Sequence, residues 1–125
     1  MDLDLKNKNV VITGSSRGIG LSIAKAFISE GSNVVVNSRS LESLISSTKD
    51  LNCSAVEADV SNPSEAMKLI QESTRILGSI DILVCNVGNG SSVVPGEETY
   101  EEWQEMFKKN LFSSTNMVEA AREEL

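Results

Sequence analysis

The sequence of 125 residues contains no histidine, two cysteines, one tryptophan and one tyrosine. Without histidine, mechanisms that need an imidazole base or an imidazole metal ligand are excluded. Cys53 and Cys85 form no CxxC pair, so the sequence favours neither a zinc site nor a thioredoxin-like redox pair. We therefore expect no metal centre, and we interpret the cysteines as two buried thiols in a reducing compartment, with a single disulfide as the alternative.

Positively charged residues are also few, and long apolar runs are missing. Lys and Arg number 11 against 18 Asp and Glu, which gives a net charge of −7 at pH 7. Nucleic acids and anionic lipids repel such a chain. No apolar stretch approaches the roughly 20 residues of a membrane span, and Met1–Lys6 lacks the features of a signal peptide. We expect a cytoplasmic protein that binds neither nucleic acid nor membrane.

Short apolar runs alternate with helical patterns along the chain. At this length we expect one domain, residues 1–125. The apolar runs are rich in β-branched residues, as in parallel strands that are buried on both faces. The four predicted strands are Asn9–Thr13, Asn33–Asn37, Ser54–Ala58 and Ile80–Cys85. Strands that alternate with helices in this way predict an α/β fold with a parallel sheet.

The predicted helices carry recognisable boundary signals. The helix after the second predicted strand is expected to end at Leu51. Asn62 followed by Glu65 predicts a capping box at the start of the next helix, and Thr99 followed by Glu102 predicts another. The helix that begins after Thr99 is expected to continue to the end of the chain.

The junction between the first predicted strand and helix is rich in glycine. Its glycines follow the spacing G-x-x-x-G-x-G, and no Gly-Lys-Ser/Thr follows, which excludes a P-loop. Glycine allows close backbone approach, and amides at a helix start can bind a pyrophosphate. A glycine-rich turn without a ligand is the alternative. The residues predicted to contact a cofactor here are Gly14, Ser15, Ser16, Arg17, Gly18, Ile19 and Gly20.

The end of the second predicted strand carries a base where NAD-binding folds carry an acid. In those folds an acidic residue holds the ribose 2′-hydroxyl, but no Asp or Glu lies between Gly31 and Leu41. Ser38 and Arg39 stand there instead, and Arg39 together with Arg17 suits a phosphate dianion. We therefore predict NADP(H) in preference to NAD(H), with two ordinary surface arginines as the alternative.

Polar residues also follow the third and fourth predicted strands. Asp59 can accept a hydrogen bond from an adenine amino group with Val60 nearby, although Asp59 serves equally well as a helix cap. Asn86 and Gly88 end the fourth strand, and ligands of parallel sheets bind outside the carboxyl ends of the strands. The alternative for Asn86 is an ordinary turn residue.

Together these segments resemble the short-chain dehydrogenase/reductase family over the whole chain. Thr13–Gly20 is similar to the cofactor loop of that family, and Asp59 occupies its adenine-side position. Cys85–Gly88 resembles the family's Asn-Asn-Ala-Gly segment, with a cysteine in place of the first Asn and a valine in place of the Ala. The resemblance implies a Rossmann-type doubly wound sheet with the strand order 3-2-1-4.

The resemblance also assigns a catalytic role to Asn110, which follows the similar Glu102-Trp103 segment. In the family this asparagine helps to hold a water of the proton relay and orients the catalytic lysine. The family further implies a Ser and a Tyr-x-x-x-Lys pair after Asn110, and this sequence has neither, since its only tyrosine, Tyr100, is followed four residues later by Gln104. We therefore expect the cofactor-binding half of an enzyme, truncated within the helix after the fourth strand.

The function that the resemblance implies is an NADP(H)-dependent oxidoreductase that acts on a small-molecule carbonyl or alcohol. A tyrosine acid protonates the carbonyl oxygen in this chemistry, so we expect this chain to bind cofactor without reducing a ketone. The fourth strand is expected to form an exposed apolar edge, which favours a homo-oligomer. The alternatives are a non-catalytic nucleotide-binding or interaction module and an inactive fragment.

Overall fold

The computed structural model describes residues 1–91 and 93–125, in which strands and helices alternate. In chain order the elements are β1 (Asn9–Ile12), α1 (Gly18–Ser29), β2 (Asn33–Ser38), α2 (Leu41–Thr48), β3 (Ser54–Glu57), α3 (Pro63–Leu77), β4 (Ile82–Val84), α4 (Tyr100–Phe107), a π-helical turn (Lys108–Phe112) and α5 (Ser113–Ala121). The α/β architecture predicted from the sequence is confirmed.

The four strands form one parallel sheet in the order β3-β2-β1-β4, as the family resemblance implies. The central strand β1 pairs Val10 with Val34 of β2 on one side and with Ile82 of β4 on the other. Val10–Ile12 is wholly buried. Burial on both faces explains why the strand is a nearly continuous apolar run, without the alternation of a half-exposed strand.

Helices cover both faces of this sheet. Because successive side chains of a strand point to opposite faces, Val10 and Val11 belong to different hydrophobic clusters. Val10 shares its cluster with Ala24 of α1 and Leu44 of α2. Val11 shares its cluster with Leu69 of α3 and with residues of α5. This layering leaves the carboxyl ends of the strands together at one edge of the molecule.

Two expected elements are longer than the structure shows by at least two residues at one end, and the ends of the other strands differ from the prediction by one residue. β4 covers only Ile82–Val84, because the side chain of Asp81 replaces one bond of the ladder: the Asn9 amide donates to the Asp81 carboxylate at 2.8 Å, while the Asp81 amide donates to the Asn9 carbonyl at 2.9 Å. α2 ends at Thr48, where the Leu51 amide closes a turn onto the Thr48 carbonyl at 2.9 Å. In both places a bond outside the regular ladder or helix shortens the element.

The expected N-cap of α3, Asn62, is confirmed, but the expected capping box with Glu65 is wrong. Asn62 is the N-cap, and its Oδ1 accepts a hydrogen bond from the Ser64 amide at 3.0 Å. The Glu65 carboxylate accepts from the Asp59 amide at 3.2 Å. The Asn62 amide, which Glu65 was expected to bind, donates to the Asp59 carbonyl at 3.0 Å. Glu65 therefore connects the start of α3 to the end of β3.

The C-terminal helical region begins as expected and then departs from the prediction. The capping box of Thr99 and Glu102 is confirmed, with bonds of 3.2 and 2.7 Å. The predicted helical region is confirmed as far as Ala121, and the π-helical turn Lys108–Phe112 interrupts it between α4 and α5. In this turn Asn110 Nδ2 donates to the Met106 carbonyl at 3.0 Å. A side-chain donor thus takes a backbone acceptor, which disturbs regular helical pairing.

The edge of the sheet at β4 and the helices beyond it expose apolar side chains. β4 pairs with β1, and on its other side no strand of residues 1–91 and 93–125 pairs with it. Large apolar side chains are exposed along α4, the π-helical turn and α5. We call this set the apolar stripe, and it consists of Trp103, Phe107, Leu111, Phe112 and Val118.

Cys53 and Cys85 are both free thiols, as expected, which excludes the disulfide alternative. Their expected burial is wrong, because Cys53 is half-buried and Cys85, just after the edge strand β4, is exposed. Among the described residues, no group of three or more Cys, Asp or Glu side chains is arranged to hold a metal ion. In the same part of the chain, no helix has the length and apolar character needed to cross a membrane.

Candidate cofactor-binding site

The candidate residues follow the carboxyl ends of all four strands, so the topology gathers them at one edge of the sheet. The glycine turn, Gly14–Gly20, follows β1, and Ser38 with Arg39 lies at the end of β2. Asp59 follows β3, and Asn86 follows β4. In open parallel sheets this edge is where ligands bind.

The glycine turn exposes backbone where side chains are usual. Gly14 and Gly18 have φ values of 60° and 56°, a left-handed conformation that glycine adopts at little cost. A Cβ built on Gly18 would meet no atom within 4 Å, so the outer side of the turn is open. Ile19 at the same turn is 75% exposed. The turn therefore offers backbone groups and one apolar side chain to a molecule outside it.

The start of α1 has free hydrogen-bond donors. Its N-cap residue, Arg17, makes no side-chain capping bond, and the first turn contains no acid. By contrast Ser40, Asn62 and Thr99 cap α2, α3 and α4 with their side chains. The first amides of a helix have no partner within the helix, and the helix dipole favours an anion there. A pyrophosphate fits this set of donors.

Asn86 ties β4 to the glycine turn. Its Nδ2 donates to the Gly14 carbonyl at 3.0 Å, and its amide donates to the Thr13 hydroxyl at 3.0 Å. Gly20 packs directly beside this contact, since a Cβ there would overlap the Gly14 carbonyl oxygen and lie 2.5 Å from Asn86 Nδ2. Asn86 therefore fixes the position of the glycine turn, a role beyond that of the ordinary turn residue considered as the alternative.

Ser15 is buried and bonds only inside the protein. Its hydroxyl donates to the Ile12 carbonyl at 2.8 Å and accepts from the Asn37 amide at 2.8 Å. Its own amide donates to the Asn37 carbonyl at 2.8 Å. Ser16 is half-buried beside it. Sequence analysis missed Asn37, and the one available signal was a polar residue at the end of a valine run that is otherwise apolar.

The two predicted arginines are exposed. Within residues 1–91 and 93–125, neither Arg17 nor Arg39 lies within ion-pair distance of a carboxylate. The Ser38 hydroxyl donates to the Ser40 carbonyl at 2.8 Å and accepts from the Ser40 amide at 3.1 Å. These two bonds hold the turn that carries Arg39, so Ser38 shapes the loop through its own hydroxyl.

Asp59 is held by Ser61 and is not the cap of α3, which excludes the capping alternative. Its Oδ1 accepts from the Ser61 hydroxyl at 2.6 Å and from the Ser61 amide at 3.0 Å. Partial burial raises the pKa of Asp59, but the Ser61 bonds and the charges of Arg39 and Lys108 outweigh it, so the pKa of Asp59 is lowered. The Val60 side chain is buried in the core, which leaves its backbone for any ligand contact.

Asn110 joins the π-helical turn to the loop after β4. Its Oδ1 accepts from the Asn89 amide at 2.7 Å while its Nδ2 donates to the Met106 carbonyl. A Cβ on Gly88 would lie 3.2 Å from Asn110 Oδ1. The carboxamide of Asn110 is therefore engaged with the protein, and the structure brings Asn110 to the same loop as Gly88.

Three comparisons match this arrangement. The model of the family "short chain dehydrogenase" matches residues 8–125. The uncharacterized oxidoreductase YvrD of Bacillus subtilis (strain 168) is 40% identical over 118 residues, which cover 91% of this chain and 44% of that protein. The crystal structure of a short-chain type dehydrogenase/reductase from Mycobacterium marinum is similar with a TM-score of 0.92 at 29% identity, over 99% of this chain and 53% of that one.

A further similar structure carries a cofactor. It is a short chain dehydrogenase from Burkholderia cenocepacia J2315 in complex with NADP, with a TM-score of 0.88 at 25% identity, over 97% of this chain and 52% of that one. The parallel sheet and the glycine turn define a Rossmann-type nucleotide-binding fold. The chain belongs to the short-chain dehydrogenase family of oxidoreductases, and it spans about half the length of the relatives that it matches.

The contact around Gly20 leads to a first prediction. In Gly20→Ala the new methyl group overlaps the Gly14 carbonyl, so we expect the free energy of unfolding to fall by about 1–3 kcal/mol. Urea denaturation followed by circular dichroism measures the change. The matched control is Gly90→Ala, whose methyl group meets no atom within 4 Å, with an expected change within about 0.5 kcal/mol. Equal effects of the two substitutions would contradict the packing described.

The lowered pKa of Asp59 leads to a second prediction. Ser61→Ala removes the hydroxyl donor, so the pKa of Asp59 rises toward its ordinary value. A depressed pKa adds stability above the unfolded value of about 4, and that stability is lost as the pH falls through the folded value. The variant should therefore lose less stability on acidification.

NMR titration of the Asp59 carboxyl carbon measures this pKa directly. Ser64→Ala is the control, because the Ser64 hydroxyl donates to Asn62 and not to Asp59. An unchanged pKa of Asp59 in Ser61→Ala would show that the hydroxyl does not lower it.

Proposed function

We propose that this chain forms the cofactor-binding half of an NADP(H)-dependent oxidoreductase of the short-chain dehydrogenase family. The observation that carries the proposal is the open glycine turn with the uncapped start of α1, beside an exposed arginine at the end of β2. The turn supplies backbone donors for a pyrophosphate. The whole protein is proposed to act on a small-molecule carbonyl or alcohol.

The preference for NADP(H) rests on charge at the end of β2. No acid lies there to bind a ribose 2′-hydroxyl, and Arg39 is exposed and free of an ion pair within the described residues. Arg17 lies across the site in the glycine turn. A guanidinium matches a phosphate dianion in geometry and charge. The relative from Burkholderia cenocepacia that binds NADP agrees with this preference.

The other candidate residues are proposed to shape the site. When bound, the nicotinamide cofactor supplies or accepts a hydride. We propose that Asp59 and the backbone of Val60 border the adenine, and that Asn86 with Gly88 borders the cofactor beyond β4. Asn110 is proposed to fix the loop at Asn89 and, as the family resemblance implies, to help hold a water of the proton relay.

A third prediction tests the cofactor preference. In Arg39→Ala the Kd for NADP⁺ should rise about tenfold, the effect of losing one charge-assisted hydrogen bond. The Kd for NAD⁺, which has no 2′-phosphate, should change little. Isothermal titration calorimetry with both cofactors measures the difference. Arg75→Ala is the control, because Arg75 pairs with Glu72 on the exposed face of α3. Tighter binding of NAD⁺ than NADP⁺ by the wild type would overturn the preference.

We also propose a cytoplasmic homo-oligomer. Free thiols are typical of a reducing compartment, and exposed apolar patches mark association surfaces. The apolar stripe and the open edge of β4 are the surfaces available for association.

A fourth prediction concerns this self-association. Light scattering should give a mass above the 13.5 kDa of one chain, rising with concentration. Trp103→Glu places a charge on the stripe and should lower that mass. The control is Ile45→Glu on α2, because Ile45 lies outside the apolar stripe and is about as exposed as Trp103, 53% against 55%. A mass of one chain at every concentration would contradict the proposal.

A further inference from the structure

The buried side chain of Asn37 bonds to the glycine turn and to the end of β3, and its own backbone leads into the loop that carries Arg39. It is 1% exposed at the end of β2, directly before Ser38 and Arg39. Its Nδ2 donates to the Val56 carbonyl at 3.1 Å and to the Ala58 carbonyl at 3.2 Å. Its Oδ1 accepts from the Gly14 amide at 3.4 Å.

The bonds of Asn37 reach both sides of its strand. Ala58 immediately precedes Asp59, so one half of the carboxamide holds the end of β3. Gly14 opens the glycine turn, so the other half holds the end of β1. The Asn37 backbone adds two bonds of 2.8 Å with Ser15, one in each direction. Both amide hydrogens and the oxygen of the carboxamide are thereby used inside the protein.

We propose that Asn37 is a positioning residue for cofactor binding, which sets the glycine turn, the Arg39 loop and the Asp59 loop in a common register. The inference rests on the proposed function and adds to it a residue that has no contact with the cofactor itself. A buried carboxamide satisfied on every atom accepts few other arrangements, because moving one loop leaves a buried group without a partner.

The chain contains a matched control for this role at the opposite end of the same sheet. Asn9 Nδ2 donates to the Leu77 carbonyl at 3.3 Å and to the Ser79 hydroxyl at 3.0 Å. Its Oδ1 accepts from Asn33 Nδ2 at 3.0 Å. Asn9 thus joins neighbouring segments much as Asn37 does, but it does so at the amino ends of the strands, away from the candidate site.

The experiment compares Asn37→Asp with Asn9→Asp. Asn37→Asp keeps the shape of the side chain and replaces two donors by a carboxylate that faces two carbonyl oxygens. Near pH 8 we expect its Kd for NADP⁺ and its Kd for NAD⁺ both to rise by about tenfold or more, because both cofactors use the glycine turn. Asn9→Asp should leave both Kd values unchanged. Thermal unfolding followed by circular dichroism shows the temperature range in which each variant is folded, and binding is measured within that range.

The pH dependence separates positioning from general destabilisation. Burial raises the pKa of the introduced carboxyl group, so that lowering the pH to about 5.5 protonates it and restores one donor. The ratio of the variant's Kd to that of the wild type should then shrink to about threefold, with one of the two bonds recovered. A ratio that does not change with pH, or equal losses in the two Asp variants, would overturn the proposal.

A measurement on the wild type alone covers the case in which Asn37→Asp does not fold. Hydrogen exchange of the Asn37 side-chain amide, followed by NMR, should be slow in the free chain and slower still with saturating NADP⁺. Exchange that NADP⁺ leaves unchanged overturns the inference. If the wild type binds neither cofactor, the proposed function is overturned as well. If the wild type binds cofactor and the Asn37→Asp variant binds it with equal affinity, the inference alone is overturned.

Discussion

The hydrogen bond from Asn86 to the Gly14 carbonyl is the contact on which the candidate site depends. Gly14 presents its carbonyl to β4 because its φ is positive, and Gly20 leaves the space in which the Asn86 amide lies. The edge strand β4 is short, and within residues 1–91 and 93–125 it pairs with β1 alone. The bonds of Asn86 to Gly14 and Thr13 therefore set the distance between the loop after β4 and the start of α1.

The local charge at the candidate site is positive, opposite in sign to the net charge of the chain. A net charge of −7 opposes the approach of an anion, yet a dinucleotide phosphate carries several negative charges. The start of α1 has unpaired amides and no nearby acid in its first turn, and Arg17 and Arg39 lie exposed on either side of it. The charge of Arg39 helps to lower the pKa of Asp59, and the bonds of Asp59 with Ser61 hold its carboxylate in place. Two of the chain's 11 positive groups, Arg17 and Arg39, thus lie exposed where an anion is expected.

The sequence predicted those features whose signals are local. The alternation of strands and helices, the box of Thr99 and Glu102 and the glycine turn each depend on residues within a few positions of one another. The errors arose where a partner outside the predicted element decided the outcome. The Glu65 carboxylate accepts from the Asp59 amide in the loop before α3, and β4 begins late where the Asn9 amide, 72 residues earlier, donates to the Asp81 carboxylate. The residue types within each element do not indicate these partners.

The same distinction separates two kinds of residue within the site. Ser15 and Asn37 are buried, and their polar groups are paired inside the protein, so their residue types alone do not reveal these partners. Arg17 and Arg39 are exposed, and their residue type alone indicated an anion. Because buried polar groups must all be paired, the first kind constrains the shape of the crevice. The second kind can vary without disturbing that shape, which is why we assign the proposed cofactor preference to Arg39 and the proposed loop register to Asn37.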